Sequence, residues 1–162
     1  MNLPDRQSAT ADVALPLAQY ASYRRAGDFI FLSGVIAVNP SSGLIVKGFD
    51  DIPVETANLI GRTGEFSVDI RQGPILAQSW YVLDSIRRTI ESAQGQMSDV
   101  VKLVQYFRDL DHFPSYNSVR KRFFPDGAPA STVVQVSAML PTEDMLIEVE
   151  ATAFLPRRPN AL

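Results

Sequence analysis

The first part of the chain alternates apolar segments with turn residues. The segment 29–38 (FIFLSGVIAV) is rich in β-branched and aromatic residues, which predicts the second strand of a hairpin that begins at 20–25. A short third strand is expected at 44–46. Two glycines separate the apolar pieces 57–60 and 66–70, so a second, smaller hairpin is predicted there.

The rest of the chain predicts helices and strands in alternation. Apolar residues recur every three or four positions over 74–93, which predicts a helix with one buried face. A strand over 100–107 and a helix over 112–124 follow. Two further strands, 131–140 and 145–155, are joined by a short polar loop, and short connections favour antiparallel pairing. This order predicts an α+β fold in which two helices pack on one face of a mixed sheet.

The last two predicted strands each separate two kinds of side chain, because neighbouring residues of a strand point to opposite faces. Alternate residues from 145 to 153 are apolar and are expected to face the helices. The opposite, polar face is expected to carry residues of both strands: Glu148, Glu150, Ser131 and Val133. This face either meets water, as in many antiparallel sheets, or meets another subunit and lines a site.

The composition of the chain excludes several kinds of binding site. The chain of 162 residues has a net charge of −3, so it offers no global basic field for nucleic acid. It contains no cysteine, which excludes disulfides and cysteine-based metal sites. His112 is the single histidine, so a multi-histidine metal site is impossible. The basic run 120–122 is expected to be a solvated helix face.

The sequence predicts one domain between two short terminal segments. Residues 1–17 are expected to form a flexible arm, 18–156 a single domain, and 157–162 a tail. No apolar run approaches the roughly 20 residues of a membrane helix, so no membrane association is expected. The N-terminus has no basic start followed by a long apolar run, which favours a cytoplasmic protein.

Several segments together resemble the Rid family, the YjgF-type reactive-intermediate deaminases. They are Tyr20, RAGDFIFLSGVIAVNPSSG over 25–43, DVVKLVQYFRDLDHFPSYNSVRKRFFP over 99–125, PASTVVQV over 129–136 and LIEVEATA over 146–153. The segment 49–73 has no match and is interpreted as an insertion. The resemblance implies a chorismate-mutase-like α+β fold that assembles as a homotrimer with ligand clefts between subunits.

The resemblance also implies an activity. Members of the family hydrolyse reactive imines and enamines, such as 2-aminoacrylate and 2-iminopropanoate, to oxo acids and ammonia. The implied protein is a hydrolase of C–N bonds that needs no cofactor and no metal, with a small-molecule substrate and copies of itself as partners. A binding trimer without catalysis is the alternative. A ribonuclease or translation-inhibitor role is a third hypothesis, and the net negative charge argues against it.

The family's site residues match positions of this chain one by one. Tyr20 corresponds to a tyrosine of the cleft, and Ser33 with Gly34 to a loop that faces the ligand. Asn117 matches an asparagine of the second helix. Glu148 matches the glutamate that orients the attacking water and is the expected catalytic residue.

One position departs from the family pattern. Deaminating members read Pro-Ala-Arg-Ser, and the arginine binds the substrate carboxylate, whereas this chain has Ser131 at the arginine position. Serine provides neither the charge nor the two-pronged donor. Val133 stands where a cysteine is common. The substrate is therefore expected to differ from 2-iminopropanoate, unless Arg62 or Arg71 of the insertion supplies a cation.

Overall fold

A computed structural model describes residues 20–156 of the chain. The predicted arm (1–17) and tail (157–162) lie outside the described residues. Six strands form a single mixed sheet in the described part of the chain. They are β1 (Tyr23–Ala26), β2 (Phe29–Leu32), β3 (Val35–Ile36), β4 (Val100–Phe107), β5 (Ala130–Gln135) and β6 (Ile147–Phe154).

The strands lie in the order β1-β2-β6-β4-β5, and β3 pairs with β6 beyond the end of β2. All neighbouring pairs are antiparallel except β4 and β5, which are parallel. A parallel pair needs a crossover connection. The helix after β4 supplies it.

Three α-helices accompany the sheet in this part of the chain: α1 (Val54–Ile60), α2 (Phe66–Ser92) and α3 (Phe113–Phe123). Short 3-10 turns precede three elements, at Phe49–Asp51, Met97–Asp99 and Leu110–His112. The α+β class is confirmed, with the additional helix α1 beside the two that were predicted.

The apolar side of β6 forms the centre of the core, as predicted. Residues Ile147, Val149, Ala151 and Ala153 are buried, while the residues between them are only partly covered. Helix α2 packs against this side and buries Leu83, Ile86 and Ile90 there. Alternation on β6 therefore fixes which face of the sheet the helices cover.

The predicted antiparallel hairpin of the last two strands is wrong. Strand β5 ends at Gln135, well before the 141–144 loop, and β4 lies between β5 and β6. The connection thus runs from residue 136 to 146 and passes across the end of β4. The short-loop argument fails because the segment 136–140 is not part of the strand.

Two other local predictions are corrected. The expected hairpin over 57–70 is instead α1, a break and the first residues of α2. Helix α2 begins at Phe66, so Pro74 lies inside it. Phe66 is 79% exposed and Ile70 58% exposed, so the first two turns lack the buried stripe that revealed the later ones.

The expected strand over 29–38 is interrupted. It divides into β2 and β3, with Ser33 and Gly34 between them. The segment 44–46 contributes only one isolated bridge, between Ile45 and Val38. The break between β2 and β3 positions the candidate site described below.

One buried polar side chain ties α2 to two loops. Gln78 is 1% exposed, and its Nε2 donates to the carbonyl oxygens of Val46 (3.0 Å) and Asp144 (2.8 Å). Its Oε1 accepts from the backbone N–H of Leu146 at 2.9 Å. Two of these bonds satisfy backbone groups just before β6 and the third satisfies Val46, so Gln78 holds both loop segments against α2.

We expect Gln78→Ala to lower the free energy of unfolding by about 3 kcal/mol or more, since three backbone groups lose their partner at about 1–3 kcal/mol for each buried one. Denaturant unfolding measures the change. Gln72→Ala on an exposed position of the same helix is the control, with an expected change within about 0.5 kcal/mol. A loss below about 1 kcal/mol for Gln78→Ala would contradict this role.

Candidate active site

Glu148 occupies the middle of the sheet face that lies opposite the helices. It pairs with Ile36 of β3 on one side and with Tyr106 of β4 on the other. Its side chain is about half buried. Its Oε1 lies so close to Gly34 that a Cβ atom at position 34 would overlap it. A larger residue at position 34 would therefore have to displace the Glu148 side chain.

The loop between β2 and β3 holds Gly34 in this place. The Ser33 backbone N–H donates to the carbonyl of Ser22 at 3.0 Å, and the Ser33 hydroxyl donates to the carbonyl of Ala21 at 2.7 Å. Tyr20 directly precedes these residues and is 44% exposed. Ser33 thus ties the loop to the residues that precede β1.

Two glutamates on this face, Glu148 and Glu150, have different electrostatic surroundings. Burial raises the pKa of Glu148, and the negative charge of Glu150 raises it further. Glu150 accepts a hydrogen bond of 2.9 Å from the Tyr106 hydroxyl. No hydrogen bond or ion pair reaches the Glu148 carboxylate from any other residue in the range 20–156. A half-buried carboxylate with a raised pKa and no partner is suited to proton transfer.

A second polar group lies at the other side of the sheet, between α3 and β5. The Arg120 guanidinium donates from Nη2 to Asn117 Oδ1 (2.8 Å) and from Nη1 to Ser131 Oγ (3.3 Å). The Ser131 hydroxyl in turn donates to Oε1 of Gln105, a fully buried residue of β4, at 2.8 Å. One helix turn and two strands thus meet in this group.

The expectation that Ser131 and Val133 share a face with Glu148 is wrong. In the parallel pairing of β4 and β5, Ser131 lies beside Leu103 and Val133 beside Gln105. Leu103 and Gln105 point to the helices and are fully buried. Ser131 and Val133 therefore lie on the helix side of the sheet, whereas Glu148 lies on the opposite side.

The predicted site residues thus form two groups in one chain. The first group comprises Glu148 of β6, Ser33 and Gly34 of the loop between β2 and β3, and Tyr20, which precedes β1. Asn117, Ser131 and Val133 belong to α3 and β5, at the edge of the sheet.

The family model for endoribonuclease L-PSP, the YjgF/Rid family, matches residues 46–155 of the chain. The chain belongs to the Rid family.

Known relatives and solved structures agree with this membership. A Klebsiella pneumoniae structure named for an endoribonuclease shares 70% identity with this Rid-family chain, covers 85% of it and 100% of its own length, and superposes with a TM-score of 0.84. A RutC family protein of Pyrococcus horikoshii is 30% identical over 90% of this chain and 94% of its own. A Dermatophagoides farinae protein named 2-iminobutanoate/2-iminopropanoate deaminase is 28% identical over 94% and 98% of the two chains.

The segment 49–73 of this Rid protein forms a separate groove. The cavity has a volume of about 410 Å³ and is lined by residues that include Phe49, Asp50, Arg62 and Phe66. Arg62 forms an ion pair of 3.0 Å with Asp50. Neither Glu148 nor Ser131 lines this groove.

Sequence reasoning missed Arg120, which was expected on a solvated helix face. The arginine that contacts Ser131 comes from α3, whereas Arg62 and Arg71 were the expected sources of a cation. The available signal was the spacing of three residues between Asn117 and Arg120, which places both side chains on one helix face. The parallel crossover that brings this face to Ser131 was not predicted.

Within residues 20–156, no group of three or more histidine or acidic side chains is arranged to hold a metal ion. No helix in the same range is both long enough and apolar enough to span a membrane.

We expect Gly34→Ala to lower the free energy of unfolding by about 1–3 kcal/mol, because the added methyl group displaces the Glu148 carboxylate. In a Glu148→Ala background the same change should cost less than about 1 kcal/mol, and the difference measures their coupling. Gly48→Ala is the control, since its position has open space and an extended backbone. Equal costs in both backgrounds would refute the contact.

Proposed function

We propose that this Rid-family protein is a hydrolytic deaminase that acts on a reactive imine or on the enamine from which the imine arises. The observation that carries the proposal is Glu148, a half-buried carboxylate with a raised pKa that is set against Gly34 and has no other partner in the range 20–156. The deaminase name of the Dermatophagoides farinae relative supports the same class of reaction.

The reaction needs one proton shuttle. Water adds to the carbon of the C=N bond while the Glu148 carboxylate accepts a proton from it, and Glu148 passes this proton to the nitrogen, which gives a carbinolamine. Glu148 then accepts the hydroxyl proton of the carbinolamine and transfers it to the nitrogen, so that the C–N bond breaks and ammonia leaves as the carbonyl group forms. Imine and water are thereby converted to a carbonyl compound and ammonia, and Glu148 ends as the carboxylate it was at the start.

The proposed site lies between subunits of a homotrimer. In one chain, Glu148 and Asn117 lie on elements at opposite sides of the sheet, so a cleft that contains both requires a second copy. Two features support an assembly. Strand β5 is an edge strand whose six residues are all exposed. Phe29, Phe31 and Phe154 form an exposed aromatic cluster on the Glu148 side of the sheet, with ring centroids 5.2 and 6.3 Å apart.

Two other functions are alternatives to hydrolysis, and measurements of ligand binding and ammonia release distinguish them from it. A trimer that binds a small molecule without hydrolysis would show saturable binding and no ammonia release. The family model carries the name of an endoribonuclease, but Glu148 and Glu150 place two acidic groups on the proposed site face. These groups would repel a phosphodiester backbone.

We expect Glu148→Gln to lower kcat/KM for imine hydrolysis by about 100-fold or more, because the amide accepts no proton from water. Ammonia release from freshly generated imines and enamines measures the rate. Turnover that is unchanged in Glu148→Gln would remove the catalytic role from this residue.

Glu150→Gln is the matched variant on the same strand face. Because the charge of Glu150 raises the pKa of Glu148, its removal lowers that pKa, and the acid limb of the kcat/KM profile should move to lower pH. At neutral pH the wild type and Glu150→Gln should differ by less than about tenfold. A larger loss in Glu150→Gln than in Glu148→Gln would exchange the roles of the two residues.

The trimer has its own test. Sedimentation equilibrium at micromolar concentration should give three times the chain mass of 17.9 kDa. Phe31→Lys places a charge in the exposed aromatic cluster and should shift the equilibrium toward smaller species, whereas Leu44→Lys, at another exposed apolar position, should not. A wild-type mass of one chain would reject the assembly and with it the composite cleft.

A further inference from the structure

The sheet face that carries Glu148 also carries a tyrosine directly beside it. Tyr106 of β4 is paired with Glu148 in the antiparallel register, and Val104 is paired with Glu150. The Tyr106 side chain nevertheless reaches past its own partner, because its hydroxyl donates to Glu150 Oε1 at 2.9 Å. Such diagonal contacts across two strands lie within reach of aromatic side chains. One tyrosine therefore lies next to one carboxylate and is hydrogen-bonded to the other.

Only one of the two glutamates receives this hydrogen bond. Glu148 and Glu150 are two residues apart on β6, so their Cα atoms are separated by about 7 Å and both side chains lie on one face. Glu150 accepts from the phenol, whereas no residue among 20–156 forms a hydrogen bond or an ion pair with the Glu148 carboxylate. A donor that contacts a carboxylate favours its ionised form. The phenol thus holds a negative charge at Glu150 and leaves Glu148 as the group that takes up a proton.

The other charged groups around this face are cations. They are Lys102 of β4, Arg24 of β1 and Arg108, just beyond the end of β4. The residues of β2, β3 and β5 that share the face carry no titratable side chain. None of the three cations forms an ion pair with either glutamate in the range 20–156, and Lys102 instead donates from Nζ to the Thr132 hydroxyl at 2.6 Å. Tyr106 is therefore the side-chain donor that distinguishes the two carboxylates.

The phenol keeps its proton over the pH range in which carboxylates titrate. The hydrogen bond to Glu150, burial and the charges of both glutamates raise the pKa of Tyr106, so it remains a donor. Burial raises the pKa of Glu148, and the like charge at Glu150 raises it further. A general acid–base group is most effective when its pKa approaches the working pH. The contact between Tyr106 and Glu150 therefore acts on Glu148 through the charge that it holds in place.

We propose that Tyr106 is a positioning residue for the proton transfer: its phenol holds the charge of Glu150 beside Glu148, so that Glu148 alone exchanges protons with water and with the substrate nitrogen. This inference rests on the proposed function and assigns Tyr106 no contact with the substrate. A purely structural tyrosine would link β4 to β6 and would not change the pH at which Glu148 is protonated. That pH is therefore the quantity to measure.

The direct test follows the protonation of Glu148 in the full chain without substrate. Carbon-13 NMR of labelled glutamate carboxyl groups measures it, and the signal that disappears in Glu148→Gln assigns the resonance. In Tyr106→Phe the Glu150 carboxylate is released and turns away from its like-charged neighbour, so the Glu148 midpoint should fall by about half a pH unit or more. Tyr116→Phe is the matched control and should leave the midpoint unchanged, because that buried hydroxyl has no hydrogen-bond partner among residues 20–156.

A double variant shows whether the effect passes through Glu150. Glu150→Gln should lower the Glu148 midpoint by more than Tyr106→Phe does, because it removes the charge itself. Tyr106→Phe/Glu150→Gln should then titrate within about 0.2 pH unit of Glu150→Gln, since the phenol no longer has a charge to hold. An unchanged midpoint in Tyr106→Phe, or an equal further fall in the double variant, would overturn the inference. Thermal unfolding of each variant confirms that the fold is retained.

Kinetics separate this inference from the proposed function. In Tyr106→Phe the acid limb of kcat/KM should move to lower pH with the NMR midpoint, while the rate at neutral pH changes by less than about tenfold. If the midpoint moves but wild type hydrolyses no imine, the control of Glu148 by Tyr106 stands and the deaminase function falls. If hydrolysis depends on Glu148 but Tyr106→Phe leaves both the midpoint and the acid limb in place, the deaminase function stands and this inference falls.

Discussion

The position of β4 between β5 and β6 decides how the rest of the molecule is arranged. Its antiparallel bonds to β6 place Tyr106 beside Glu148, on the face away from the helices. Its parallel bonds to β5 place Leu103 beside Ser131, under α3. Because β4 points its alternate side chains to both faces, it assigns the carboxylate and the guanidinium to opposite sides of the same sheet. A single chain therefore carries its two groups of candidate site residues on opposite faces of the sheet.

The sequence predicted the orientation of side chains correctly where apolar and polar residues alternate along a strand. Alternation over 145–155 identified the buried side of β6 and placed Glu148 on the other side, as observed. The bounds of β4 at 100–107 also agree with the structure. Helices cover β6 on one face only, so burial leaves a period of two in its residue types.

The missed features depend on partners far away in the chain. The start of α2 could not be recognised, since its first turns bury little and Pro74 is typical of a helix beginning. The contact of Arg120 with Ser131 follows from a parallel crossover, whereas the short loop at 141–144 indicated a hairpin. Local patterns report the face of a residue, but they do not report which strand lies next to it.

The aromatic packing beneath Arg120 has an optical consequence. Phe107, Phe113 and Tyr116 contact one another edge to face or at a tilt, with centroids 5.5 to 6.3 Å apart, and Tyr116 is fully buried. Burial raises the pKa of Tyr116, so its phenol stays un-ionised through neutral and moderately alkaline pH. The near-ultraviolet circular dichroism of Tyr116 therefore reports on the packing of these three rings, and it needs no attached label.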